Sequence, residues 1–209
     1  AYALKALAAM GTAVLVSGAL ATSAFAATHF SAVGAALSWA GLEWLLKGKP
    51  SVLGLASGMV AGLATITPAS GFVTIPAAFL IGLCGGAVCY FAVTKLKGAL
   101  GYDDSLDVFG VHGVGSTIGL LLVGVLANPT VNGAIATTFK SGDTIVSLAG
   151  GWAQLKNQAI GVLFTAAFSA LATFLLLKLV SATVGLRVSP EEEHSGLDLT
   201  QHGESAYND

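Results

Sequence analysis

Residues 103–127 read DDSLDVFGVHGVGSTIGLLLVGVLA. After Asp103, Asp104 and Asp107 the run is apolar or small to its end, and His112 is its one ionisable side chain. A helix that crosses a bilayer needs about 20 mostly apolar residues, and this stretch supplies them. An ionisable residue at that depth costs at least about 2.5–3.5 kcal/mol for Asp, Lys or Arg, so such residues face a protein interior or a water-filled path. His112 lies about two turns into the span. Neutral imidazole can donate one hydrogen bond and accept another without the cost of a fixed charge. Two readings stay open: a histidine bonded by neighbouring helices that only fixes packing, and one that serves a small polar molecule or a proton in a conduit. Asp107 stands at the start of the span, where a carboxylate favours the positive end of a helix, and reads as structural support.

The rest of the chain repeats this pattern. Of 209 residues 55% are hydrophobic and 10% charged, against about 25% charged in a soluble domain. Candidate spans fall at roughly 6–27, 29–46, 52–68, 73–94, 106–127 and 157–184, so the fold class is an all-α, polytopic transmembrane bundle of about six spans in a lipid bilayer. Pro68, Gly71 and Pro76 interrupt the helical pattern in TPASGFVTIP and predict a tight hairpin between the third and fourth spans. The segment from about 128 to 156, with Pro129 and several glycines, reads as a long loop. Beyond Gly185 the chain is polar, and 186–209 reads as a tail outside the lipid.

Lys47, Lys49, Lys95, Lys97 and Arg187 fall on one side of the bundle, Lys5 agrees, and Lys140 and Lys156 lie opposite. The bias makes the first side cytoplasmic and the C-terminus with it, in a multi-pass protein of the cell membrane. Residues 1–27 have two readings: a first span, or a signal-peptide-like segment with Lys5, an apolar core and the small-residue triplet Ala24-Phe25-Ala26. Residues 28–185 make the bundle. Glycines 110, 113, 115 and 119, with SGMVAG and GLCGG upstream, make small-residue faces that let helices approach closely.

Other classes are excluded. Nine basic residues spread over a chain of net charge −2 form no stripe for a nucleic-acid backbone. There is no nucleophile–base–acid set, no phosphate-cradling loop and no metal-ligand spacing, so neither an enzyme nor a cofactor is expected. Cys84 and Cys89, on different faces of one helix, read as small buried side chains.

The string DVFGVHGVG, preceded by DD, resembles the signature of the Amt ammonium transporters. So do LSWAGLEWLLKGKPSVLGLASGMVAGLATITPASGF, AVTKLKGALGYDD and TVGLRVSPEEEHSGLDLTQHGESAYN, so the resemblance runs from about residue 28 to the end. It implies a homotrimer of eleven-span subunits, each with a pore between two inverted halves, of which this chain matches the second half. It further implies that His112 is one of a pair of pore histidines and Val108 a pore-lining position one turn earlier. Ser57 and Thr67 would be hydroxyl positions near the outer vestibule that recruit substrate. A signal protein of the P-II type would meet the cytoplasmic face. The sequence departs from the family in having no second intramembrane histidine, since His29 falls at a span's outer edge, and in lacking the family's aromatic pattern in residues 1–27. The expected function is transport of ammonium or ammonia through a hydrophobic, histidine-lined pore; the alternatives are a non-conducting sensor or regulatory subunit and a transporter half inactive alone.

Overall fold

The computed structural model describes residues 18–135, the backbone of 139–141 and 144–146, and residues 148–205. It falls into two compact units, Ala1–Val162 and Leu163–Asp209. In the first, α1 spans Ala19–Lys47, α2 Val52–Ile66, α3 Ile75–Leu100 and α4 Phe109–Leu126. A two-stranded antiparallel hairpin follows, β1 Phe139–Ser141 on β2 Thr144–Val146, and then α5, Trp152–Thr183.

Each of the first four helices buries a stripe at intervals of three or four residues, as a single packed face requires. In α1 it runs Ala27, Ser31, Ala35, Trp39, Glu43; in α4 it runs Val111, Gly115, Gly119, Val123. These faces are made of small residues because the backbones meet directly. A Cβ at Gly82 would overlap the carbonyl oxygen of Ser31, and one at Gly119 that of Thr65. Ser31 fills the space left by Gly62 and donates its hydroxyl to that residue's carbonyl at 2.9 Å. With no apolar driving force between helices in lipid, such contact is the main source of cohesion. α1 packs on α2 and α3, α2 on α3 and α4, and α3 on α4.

One end of this four-helix unit is closed by the turn 67–73, where Gly71 takes a φ of 80° that an L side chain avoids. The amide of Asn128 donates to Phe72's carbonyl at 2.7 Å, and Ser70 Oγ donates to that of Ala24 at 3.0 Å. At the other end Glu43, 5% exposed, accepts from Ser51's N–H at 2.8 Å, from its hydroxyl at 3.0 Å and from Lys47 at 3.2 Å. Ser51 in turn caps α2 by accepting from Gly54's N–H at 2.9 Å.

The all-helical bundle agrees with the sequence reading, but the helix bounds differ. The candidates at 6–27 and 29–46 are not separated near residue 28: α1 runs through from 19 to 47. Ala26-Ala27-Thr28-His29 holds no Gly or Pro to break it, and Thr28's hydroxyl donates back to Ala24's carbonyl at 2.8 Å inside the helix. Residues 1–17 lie outside the described residues. α2 has 15 residues, and the other four are long and apolar enough to cross a membrane. α5 begins at Trp152, five residues before its expected start.

α5 passes from the first unit into the second with no buried residue. The second unit ends in α6, Pro190–Ser195, and a π turn, Asp198–His202. Ser189 and Glu192 form a reciprocal capping box, with Pro190 in the first turn. The bonds from Ser189's backbone N–H and hydroxyl hold the Glu192 carboxyl below the ordinary carboxylate range.

Candidate functional site

A cleft of about 250 Å3 opens where α1, α2 and the start of α4 meet, within the first unit. Its walls come from three stretches. α2 contributes Leu53, Ala56, Ser57 and Val60, an i, i+3, i+4, i+7 set on a different face from the buried glycines 54, 58 and 62. α1 contributes Trp39, 4% exposed, which packs edge-on against Tyr90 at 5.5 Å between ring centroids. Leu106, Asp107, Val111 and His112 close the third side.

The local fold aims His112. Residues Phe109–Gly113 form a π turn, the wider turn that recurs at functional sites because it inserts a residue and re-aims its neighbours. Among the described residues the imidazole has no hydrogen-bond partner, and it is exposed to the cleft. Among the described residues, no neighbouring helix bonds either nitrogen of the ring.

The helix N-terminus and the cleft use different aspartates. Asp104 accepts from the N–H groups of Val108 at 2.9 Å and Phe109 at 2.8 Å, and so caps the helix. Asp107 instead has a φ of 56°, which turns its carboxylate away from those amides; it pairs with Lys97 at 2.8 Å and lines the cleft.

Ser57, Asp107 and His112 thus come together. Val108 stands in the turn before His112, 50% exposed and beside the cleft rather than among its lining residues. Thr67 does not join them: it is the C-cap just past the end of α2, ten residues beyond Ser57 and about 15 Å along the axis, with its hydroxyl donated to Leu63's carbonyl at 2.7 Å. The two hydroxyls assigned by resemblance to one vestibule therefore lie towards opposite ends of α2, and Ser57 is the one nearer Lys47 and Lys97. His29 is on α1, its Nδ1 3.0 Å from Phe25's carbonyl oxygen. Among the described residues no group of three His, Cys, Asp or Glu side chains could hold a metal ion.

Trp39, Leu53, Ala56, Val60, Leu106 and Val111 were not identified as cleft walls from the sequence. Trp39 was within reach, since it continues the four-residue spacing of the α1 stripe; Leu53, Ala56 and Val60 depend on which α2 face is left uncovered by α1, and Leu106 and Val111 on the turn that leads into α4.

Apolar helices packed backbone to backbone, four of them of spanning length, beside a cleft that holds an unbonded imidazole define a multi-pass membrane protein. The chain belongs to the ammonium transporter family: a profile described as the Ammonium Transporter Family matches residues 9–207. It is 45% identical over 171 residues to a protein named ammonium transporter from Bacillus subtilis, covering 82% of this chain and 40% of that one. The crystal structure of Saccharomyces cerevisiae Mep2 superposes with a TM-score of 0.69 at 35% identity, covering 79% of this chain and 38% of that chain. A structure named Sensor Amt Protein superposes with a TM-score of 0.77 at 26% identity, covering 90% and 44%. The chain thus spans about two fifths of the length of the relatives it matches. The relative from Bacillus subtilis carries the name of a transporter, not of an enzyme.

Proposed function

We infer that this chain forms one wall of a path for ammonium or ammonia across the cell membrane, with His112 facing the path. The observation that carries this reading is the unbonded imidazole in a cleft lined mostly by apolar side chains, in a chain of the ammonium transporter family. An ammonium ion entering such a space loses its hydration, which is costly unless hydroxyl and aromatic contacts replace the water. Ser57's hydroxyl and Trp39's ring are such contacts beside His112. A neutral imidazole can then accept a proton from the ion, or hold ammonia by a hydrogen bond, while apolar walls such as Val60 and Val111 reject hydrated cations. Val108 narrows the path one turn away, and Thr67 serves the opposite mouth of the same helix. Asp107 supports the turn that carries His112.

In this reading the Lys-rich end and the tail are cytoplasmic by charge bias. The family resemblance adds assembly as a homotrimer and contact of the cytoplasmic face with a P-II type protein. The capped tail helix favours a second reading, a sensor or regulatory subunit that binds the ion and signals without flux, because transport alone does not need an ordered polar tail.

Flux and binding separate the two. Proteoliposomes holding the protein and a pH-sensitive dye are given an inward ammonium gradient, and capture of a P-II protein is measured with and without residues 186–209. The transport reading expects dye changes faster than in empty vesicles. Tail-dependent capture without flux would establish the sensor instead, and neither activity would mark a half that is inactive alone.

A further inference from the structure

Asp107 is the one carboxylate among the residues that line the cleft, and Ser57 and His112 offer further oxygen and nitrogen donors beside it. A lone carboxylate in a low-dielectric cleft concentrates cations. Potassium and ammonium have the same charge and similar size, so such a site would hold either and discriminate poorly. The molecule avoids this by using Lys97. Its Nζ donates to Asp107 Oδ1 at 2.8 Å and to the Asp104 carbonyl at 2.5 Å, so two acceptors from one turn fix the ammonium group against the cleft's carboxylate.

The backbone places Lys97 there by a specific device. Residues Ala92–Leu96 form a π turn just before it, and the residue such a turn inserts rotates everything after it by about 100° relative to an uninterrupted helix. That turn faces the π turn of His112: a Cβ at Gly110 would lie 2.8 Å from Val93 Cγ2. Two helices with matched π turns therefore bring a lysine from one beside an aspartate from the other. Lys95, two residues earlier, is exposed and makes no ion pair among the described residues. With both partners about one third exposed, the pair adds little to folding stability, so its effect is on the cleft's charge.

Resting on the pore reading, we propose that Lys97 is a specificity-determining residue: by occupying the Asp107 carboxylate it keeps this mouth of the cleft from retaining alkali cations. Nothing captured there then blocks the path, and a neutral species leaves without crossing an anionic trap.

The test uses equilibrium binding of radiolabelled rubidium to the purified protein, and potassium inhibition of methylammonium uptake into proteoliposomes. The unaltered chain is compared with K97M, K97R and the K97M/D107N double variant. K97M should bind rubidium about tenfold more tightly, the low end of the counter-ion enrichment that a charged cleft produces, and its uptake should become potassium-sensitive. K97R retains the pair and the double variant removes both charges, so neither should gain rubidium affinity. K97Q carries the same expectation as K97M if the latter does not purify folded. Unchanged rubidium affinity in the neutral variants, or a gain that persists in the double variant, overturns the proposal. Rubidium binding requires no transport. Absent uptake by the unaltered chain would therefore bear on whether this chain conducts alone, while the binding comparison still decides what Lys97 does.

Discussion

Glu43 shows how a charge is made tolerable inside an apolar bundle. Buried between α1 and α2, it has three donors, from Ser51's backbone, Ser51's hydroxyl and Lys47. Lys47 also lies 5.5 Å from the Tyr90 ring centroid, so the cluster ties α1, α2 and α3 at one end. Replacing Glu43 with Ala leaves Ser51 without its acceptor and should cost about 1–3 kcal/mol, the usual penalty for stranding buried polar groups. A thermal-shift measurement in detergent should show a lower Tm; an unchanged Tm would mean that water satisfies those donors and that the cluster does not hold the end closed. At this scale the sequence was informative about His112, because a titratable side chain inside an apolar run advertises its cost. It was less so about the aspartates. Asp104 and Asp107 are chemically identical and three residues apart, and only the backbone turn at 107 decides which caps the helix and which faces the cleft.

Among elements, helix packing is governed by the absence of side chains. Gly119 lies against Thr65's carbonyl oxygen, so Gly119→Ala must push α4 away from α2, at about 1–3 kcal/mol for an overpacked contact. A methyl group added at Gly161 in α5 would meet nothing within 4 Å, and Gly161→Ala should raise stability by about 0.4–1 kcal/mol or leave it unchanged. The same detergent melt distinguishes them, and equal effects would contradict direct backbone contact as the source of cohesion. The small-residue faces were legible as spacing in the sequence. The π turns at 92–96 and 109–113 were not, because a single inserted residue leaves no compositional mark in an apolar run. The break expected near residue 28 failed for a related reason: two windows of sufficient length fit inside an uninterrupted helix as readily as in two. In the tail the S-x-x-E pattern at Ser189 and Glu192 was an available signal for α6, masked by the overall polarity of the segment.

In the whole molecule three levels join. Small residues let four helices meet backbone to backbone; two of those helices carry π turns; and the turns present His112, with Asp107 neutralised by Lys97, to a cleft walled by apolar side chains. The chain spans about two fifths of its matched relatives' length. The decisive experiment is the initial rate of ammonium-driven internal pH change in proteoliposomes, normalised to the amount of folded protein inserted, for His112→Ala against the unaltered chain. Loss of a positioned proton-handling group should slow conduction by about a hundredfold, the low end of what such groups contribute, or change which species crosses. Equal rates and equal selectivity in the two proteins would contradict the claim that this imidazole faces the path.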